Sequence, residues 1–171
     1  AFVVFILVAM AAGFLLSIFV GNVFEVGGCN FFIKNRVERA HIGEVLSGFK
    51  SGHYLNVVLI MFLRNLFTFL WSLLLVVPGI VKSYEYYMVP YIIAENPGMN
   101  HTEAFAISKR MMDGEKWNAF VLDLSFIGWE LLSSFTCGIL GVFYVNPYIQ
   151  ATKTELYSFN KIKAYNQGYI R

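Results

Sequence analysis

Charged side chains are scarce in this sequence. Only 14% of its 171 residues are Asp, Glu, Lys or Arg, whereas an average soluble domain contains about a quarter. The chain is instead 57% hydrophobic, and folding of a chain this long still leaves roughly a third of its unfolded-state surface exposed. The low charge therefore argues against an ordinary soluble domain and favours an integral membrane protein.

Groupings that support chemistry are also missing. The net charge of +2 is small. The sequence also lacks a basic face with stacking aromatics, so it does not indicate a nucleic-acid partner. Cys29 and Cys137 lack the CxxC spacing of a metal or redox site, and His41, His53 and His101 lie in separate polar segments. No GxSxG, P-loop or dinucleotide fingerprint occurs. We therefore predict no metal, no cofactor, no catalytic residue and no enzymatic activity.

Long apolar stretches alternate with basic segments and predict an all-α, polytopic bundle of helical hairpins. Residues 54–94 would form a helix of about 62 Å, twice the ~30 Å hydrocarbon core, so this stretch must turn. Pro78 and Gly79 provide that turn, and residues 136–138 break the last stretch. The predicted spans are 1–24, 54–77, 80–95, 117–135 and 139–156.

The positions of the basic residues predict the orientation of the spans. Eleven of the 13 Lys and Arg lie in segments 34–50 and 109–116 and in the tail from residue 153. Five spans place all three segments on one side, which the positive-inside rule makes cytoplasmic, together with the C-terminus. The first residues resemble a span more than a signal peptide. We expect a sixth span to be missing at the N-terminus. Cys29 and Cys137 would then lie on opposite membrane faces, too far apart for a disulfide.

The loop after the third span predicts a short helix. Asn100 and Glu103 have the spacing of a capping box, and apolar residues recur on one face. One interpretation is a helix at the cytoplasmic membrane surface. Its candidate contacts with lipid head groups are Lys109, Arg110 and Lys116. The other interpretation is a solvated helix packed on the bundle.

A candidate buried polar network lies within the predicted spans and consists of Arg64, Lys82, Glu85, Asp123 and Glu130. A charge at mid-membrane costs about 2.5 to 3.5 kcal/mol on insertion scales, so such residues usually pair inside the bundle. Arg64 and Glu130 have similar depths, about 15 and 18 Å, and we predict that they pair. Asp123 shares a helix face with Glu130 and is predicted to meet Lys116 or cytoplasmic water.

Two interpretations of this network remain. It is either a static bridge that orients the helices, or a path for protons or cations, because acids at membrane depth mark relays in transporters. Tyr84, Tyr87 and Tyr91 have the spacing of one helix face. They fit either a packing stripe or a ligand cage.

The two hairpins resemble each other in sequence. "SGHYLNVVL" and "DGEKWNAFVL" precede them, and "VPYIIAE" and "NPYIQAT" end them. This similarity predicts parallel repeats over residues 51–95 and 113–156, related by an axis along the membrane normal. We treat residues 1–171 as a single integral-membrane domain.

Four stretches carry a resemblance to a known family: "FLWSLLLVVPGIVKSYEYYMVPYIIAENP", "SKRMMDGEKW", "LDLSFIGWELL" and "NPYIQATKTELY". In order and spacing they resemble the bacterial integral-membrane family catalogued as domain of unknown function 975, over residues 21–157. The resemblance implies a multi-pass protein of the bacterial cytoplasmic membrane and no reaction.

We therefore expect a non-enzymatic accessory or scaffold module of the bacterial envelope. Its partners would be the lipid bilayer and another membrane protein. The alternative is a small transporter with a charged midplane site between the two hairpins, lined by Arg64, Glu85 and Glu130.

Overall fold

The computed structural model describes residues 2–136 and 138–169, and this part of the chain contains helices and turns but no strand. The α-helices are α1 (Phe2–Leu16), α2 (Asn22–Asn35), α3 (Ser47–Lys50), α4 (Tyr54–Leu74), α5 (Val76–Glu85), α6 (Val89–Glu95), α7 (His101–Met111), α8 (Lys116–Phe135) and α9 (Asn146–Asn166). Two π-helical turns, Ser17–Gly21 and Gly141–Val145, and the 3-10 turn Ile42–Leu46 complete them. The prediction of an all-α fold is confirmed.

The chain divides into two compact units. Unit 1 consists of the residues up to Phe67 together with Val89–His101, and unit 2 consists of Thr68–Met88 together with the residues from Thr102 onward. Within the described residues, two helices are long and apolar enough to cross a membrane: Phe2–Asn35 and Tyr54–Leu74. The other three predicted spans do not meet this criterion.

The first helix is continuous from Phe2 to Asn35 because the π-turn Ser17–Gly21 joins α1 to α2 in helical backbone conformation. None of the residues of α1 is buried. The helix continues beyond residue 24, where the predicted span ends. Asn22 and Glu25 flank this position, but they bind Asn65 and Arg64 on α4, so their polarity does not end the helix.

Close backbone approach shapes unit 1, where α2 packs against the 3-10 turn Ile42–Leu46 and against α6. A Cβ atom at Gly27 would meet the carbonyl oxygen of Val45. A Cβ atom at Gly48 would lie 2.7 Å from Cγ1 of Val23. Glycine at both positions therefore allows α2 to lie directly on the segment that follows it.

In unit 2, α8 packs against the helix that ends as α9. The buried contact is made by Phe126, Val145 and Ile149. The π-turn Gly141–Val145 runs directly into α9, and a Cβ atom at Gly141 would meet Oγ of Ser133 on α8. The helices therefore approach each other most closely where the π-turn lies.

The break after α4 differs from the one predicted at Pro78 and Gly79. Leu75 is extended, with φ −158° and ψ 140°, and α5 begins at Val76. Pro78 falls in the first turn of α5, where its missing N–H has no intrahelical partner to lose. A Cβ atom at Gly79 would lie 2.6 Å from Cα of Ser72, so glycine lets α5 fold back along the end of α4.

The other predicted spans agree with the observed helices to different degrees. The span predicted at 117–135 corresponds closely to α8. The one at 139–156 begins as predicted but continues in α9 to Asn166. The one at 80–95 is divided between α5 and α6 by a turn at residues 86–88. Pro147 is the second residue of α9 and directly follows the π-turn, so it lies inside a continuous helix.

The turn after α8 is built by Thr136 and Gly138. Gly138 has φ 82°, a left-handed conformation that favours glycine. The hydroxyl of Thr136 accepts the N–H of Leu140 at 3.2 Å and so starts the next helix. Cys137, predicted to lie at this turn, is outside the described residues.

Substitution at two adjacent glycines tests the packing of α2. We expect Gly27→Ala to destabilise the protein by about 1 to 3 kcal/mol, because the new methyl group overpacks against Val45. Gly28→Ala is the matched control, since nothing lies within 4 Å of its Cβ position. It should be neutral or stabilising by up to about 1 kcal/mol, because alanine favours the helix. Thermal unfolding in mild detergent measures both, and equal effects would contradict the close contact.

Candidate functional site

Four of the five residues of the predicted polar network lie in unit 2, where three of them belong to two separate ionic clusters. In the first, which we name the Glu85 cluster, the Glu85 carboxylate accepts Nζ of Lys82 at 2.6 Å and Nζ of Lys116 at 2.7 Å. The Glu85 side chain is only 8% exposed. Lys116, predicted to meet Asp123, binds Glu85, and its predicted contact with lipid head groups remains a prediction.

The backbone also fixes the position of Glu85. Its carbonyl oxygen accepts the hydroxyl of Ser108 on α7 at 2.7 Å, and the same hydroxyl accepts the N–H of Met88 at 3.3 Å. Lys82 in addition lies 5.2 Å from the centre of the Trp71 ring, at cation–π distance. The Glu85 cluster therefore holds α5, α7 and α8 together, and all of its charged groups have protein partners.

The second cluster, which we name the Asp123 cluster, surrounds the carboxylate of Asp123 on α8. The hydroxyls of Tyr84 and Tyr87 each donate to it at 3.0 Å. Nζ of Lys153 on α9 lies 3.3 Å from the same carboxylate and 5.3 Å from the centre of the Tyr87 ring. Two of the three predicted stripe tyrosines thus donate hydrogen bonds to a half-buried acid, which neither interpretation of the stripe anticipated.

A cavity of about 290 Å³ opens beside the Asp123 cluster in unit 2. Its polar lining comes from Tyr84, Asp123, Glu130 and Lys153, and its apolar lining includes Phe120 and Phe126. Asp123 and Glu130 are two helical turns apart and both line this cavity, as their predicted shared face requires. We name it the unit 2 cavity.

The unit 2 cavity contains an excess of negative charge. Asp123 and Glu130 contribute two carboxylates, and Lys153 contributes one ammonium. Among the residues that the structure describes, the Glu130 carboxylate has no hydrogen-bond or ion-pair partner. Its backbone oxygen accepts the hydroxyl of Ser134, as is ordinary within a helix. Glu130 is therefore the one network acid of unit 2 that lacks a bound cation.

Arg64, the fifth network residue, lies in unit 1 and binds Glu25. The guanidinium donates to Oε1 of Glu25 at 2.9 Å, and Nδ2 of Asn65 donates to Oδ1 of Asn22 at 3.3 Å. The predicted pair with Glu130 remains a prediction. Sequence reasoning missed Glu25 because the first span was ended one residue before it. The spacing of Asn22 and Glu25 on one face of α2 was the signal that could have identified the partner.

The short helix predicted after the third span is confirmed as α7. It packs through Ala104, Ser108 and Met111, and Phe105 lies edge-to-face with Tyr86 at 4.9 Å. On its other face, Lys109 and Arg110 are exposed. Arg110 also lies 5.6 Å from the Tyr169 ring. The helix therefore packs on its own unit, and its contact with lipid remains a prediction.

Two carboxylates outside the apolar helices have lowered pKa values. Hydrogen bonds from Lys163 at 2.6 Å and from Asn118 hold the pKa of Glu115 below its ordinary value. In unit 1, a hydrogen bond from Lys34 lowers the pKa of Glu44 in the same way. Each of these acids is stabilised in its charged form and ties a helix end to a neighbouring segment.

The shifted pKa of Glu115 predicts an acid-dependent loss of stability. A carboxyl group with a lowered folded pKa stabilises the fold above its unfolded pKa of about 4.3, and this contribution is lost as the pH falls through the folded value. At pH 7, Glu115→Gln should lower the free energy of unfolding by about 1 kcal/mol. The effect is this small because Lys163 is 35% exposed, so water partly screens the ion pair. At low pH the two proteins should be equally stable.

Thermal unfolding of wild type and Glu115→Gln between pH 7 and pH 3 checks this expectation. Glu103→Gln on the exposed face of α7 is the control and should match wild type throughout. An undiminished difference between wild type and Glu115→Gln at pH 3 would contradict the assigned ion pair.

Comparison with known proteins gives one family match. A family model described as "Protein of unknown function (DUF975)" matches residues 73–164, more than half of the chain. This match includes both ionic clusters and the unit 2 cavity. No curated protein and no solved structure matches the chain.

Proposed function

The chain belongs to the family of proteins of unknown function 975, and we propose that it serves there as a non-enzymatic membrane module. Its place would be the bacterial cytoplasmic membrane, where it would act as an accessory or scaffold for another envelope protein. The family description assigns no reaction, so this proposal rests on the apolar and charged surfaces of the chain.

One observation carries the proposal: the helix Phe2–Asn35 exposes an apolar surface that water does not favour. None of the 18 residues in its apolar stretch is buried. Phe2, for example, is 76% exposed. Exposed apolar area costs about 25 cal/mol per Å² in water, and this cost disappears in a hydrocarbon environment. At 34 residues the helix exceeds the roughly 20 needed to cross a bilayer.

Further spans are supported by the outward faces of the other long helices. α8 has 20 residues, about 30 Å of helix. Exposed apolar residues occur on α8 and on the helix after it, among them Leu131, Leu132, Phe135, Val142 and Phe143. A five-span arrangement covers these faces with lipid and keeps the three basic segments on the cytoplasmic side.

The accessory role is supported by how the charges are used. In the Glu85 cluster every charged group is bound to another side chain, an arrangement that orients helices. Lys109 and Arg110 are exposed on α7, at the predicted cytoplasmic surface, where each basic residue attracts anionic lipid by about 1 kcal/mol. A rigid bundle with an exposed basic helix is suited to binding a membrane surface or a partner.

The unit 2 cavity favours a second candidate function, a small transporter. The site proposed from the sequence needs revision, because Arg64 and Glu85 already bind partners of their own. A transport site would instead involve Asp123, Glu130 and Lys153. Polar residues that line a cavity at membrane depth are typical of transport pathways.

Cysteine labelling tests the five-span topology. In a variant with Cys29 and Cys137 replaced by alanine, single cysteines are placed at the exposed positions His41, Asp113 and Val76. We expect a membrane-impermeant maleimide to label Val76→Cys in intact cells, and the other two only after lysis. Labelling of Asp113→Cys from outside would invert the orientation, and labelling of all three would contradict membrane insertion.

Purification in mild detergent tests the accessory role. We expect native mass spectrometry to find a stoichiometric membrane protein or retained anionic lipid bound to the chain. Lys109→Gln combined with Arg110→Gln should reduce lipid retention several-fold, whereas Lys50→Gln, exposed outside α7, should reduce it less. A bare monomer without bound lipid would count against the accessory role and favour the transporter.

A further inference from the structure

We propose that the unit 2 cavity binds a small organic ammonium ion, with the Glu130 carboxylate as its counter-ion. The cavity would accept a protonated amine or a methylated ammonium group of a few heavy atoms. The proposal concerns binding and does not require transport. It rests on the proposed membrane placement of α8, because the Glu130 side chain is exposed and an exposed carboxylate needs a counter-ion only in surroundings of low polarity.

Charge balance is the first argument. Within the unit 2 cavity, the ammonium of Lys153 lies 3.3 Å from Asp123 and so compensates one of the two carboxylates. Asp123 also receives two tyrosine hydroxyls, so its acceptor positions are largely used. Glu130 has neither kind of partner among the described residues. At the proposed depth in the membrane one positive charge is therefore missing, and its place is beside Glu130.

The protein itself shows how this environment binds an ammonium group. Nζ of Lys153 is held between a carboxylate and the face of an aromatic ring, with Tyr87 at 5.3 Å. Cations favour such ring faces within about 6 Å. The unit 2 cavity contains both kinds of group, the Glu130 carboxylate and the ring of Phe126, which is one helical turn away on α8. An ammonium ion beside Glu130 would therefore meet a carboxylate and an aromatic side chain, as Lys153 does.

Ligand chemistry favours an organic cation over a metal ion. Ca²⁺ takes six to eight oxygen ligands and Mg²⁺ requires near-octahedral oxygen coordination. The cavity has one uncommitted carboxylate, and much of its remaining lining is apolar. Alkyl or methyl groups can pack on that lining, whereas a small metal ion would lose its hydration without replacement ligands. The volume of about 290 Å³ is close to the roughly 300 Å³ at the lower end of small-molecule sites.

Titration calorimetry on the full chain in detergent tests the proposal. The probes are methylammonium, tetramethylammonium and sodium chloride at matched ionic strength. We expect saturable binding of at least one ammonium probe and none of sodium. Glu130→Gln should weaken ammonium binding at least tenfold, and Glu103→Gln, exposed on α7 outside the cavity, should bind as wild type does. The melting temperature verifies that each variant is folded.

Lys153→Ala provides a second, independent readout. This variant removes the resident ammonium but keeps its carboxylate and ring partners, Asp123 and Tyr87. Added methylammonium should therefore raise its melting temperature more than that of wild type. Asp123→Asn combined with Lys153→Ala should lose this rescue, because the carboxylate that would bind the added ion is gone.

Three results would overturn the proposal. These are unchanged ammonium affinity in Glu130→Gln, equal binding of sodium, and no binding of any probe by folded wild type. The last result would be expected if the counter-ion of Glu130 were a basic side chain of a partner protein. None of them would affect the cysteine-labelling pattern, so failure here is distinguishable from failure of the membrane assignment.

Discussion

Carboxylates in low-dielectric surroundings need bound cations or hydrogen-bond donors, and this requirement organises unit 2. Glu85 satisfies it with ammonium groups from α5 and α8. Asp123 satisfies it with phenols from α5 and the turn after it, and with an ammonium group from α9. Glu85 thereby joins α5 to α8, and Asp123 adds an ionic contact to the buried packing of α8 on α9. Glu130 is exposed and has no such partner among the described residues, so the proposed membrane placement singles out the unit 2 cavity for a cationic ligand.

Sequence reasoning predicted what depends on the spacing of residues along one helix. The bounds of α8, the amphipathic α7, and the shared face of Asp123 and Glu130 all follow from helical periodicity and hydropathy. The identity of partners across helices does not follow from them. Depth alone matched Arg64 with Glu130, but many side chains lie at similar depth, and Arg64 binds Glu25 on α2. Neighbour choice depends on packing, which periodicity does not encode.

Helix ends were less predictable where glycine or proline acts through tertiary contact. Pro78 and Gly79 signalled a turn, yet the first turn of a helix accepts proline, and Gly79 serves close packing against Ser72. In α2, Gly27 and Gly28 look alike in the sequence, but only Gly27 meets a neighbouring backbone. In each case the glycine or proline has a structural role. Which role it has depends on the segment that packs beside it, and the local sequence does not specify that segment.

The π-turn Gly141–Val145 constrains how this chain can change its length. A π-turn contains one more residue than an α-helical turn. Deletion of a single residue between 142 and 145 would restore a regular α-helical turn and leave the flanking segments in nearly the same register, because the π-turn holds its extra residue within one turn. Deletion within the regular part of α9 would instead rotate the segments on its two sides by about 100° relative to each other. The π-turn is therefore a position at which the chain can lose a residue while Gly141 stays close to Ser133 on α8.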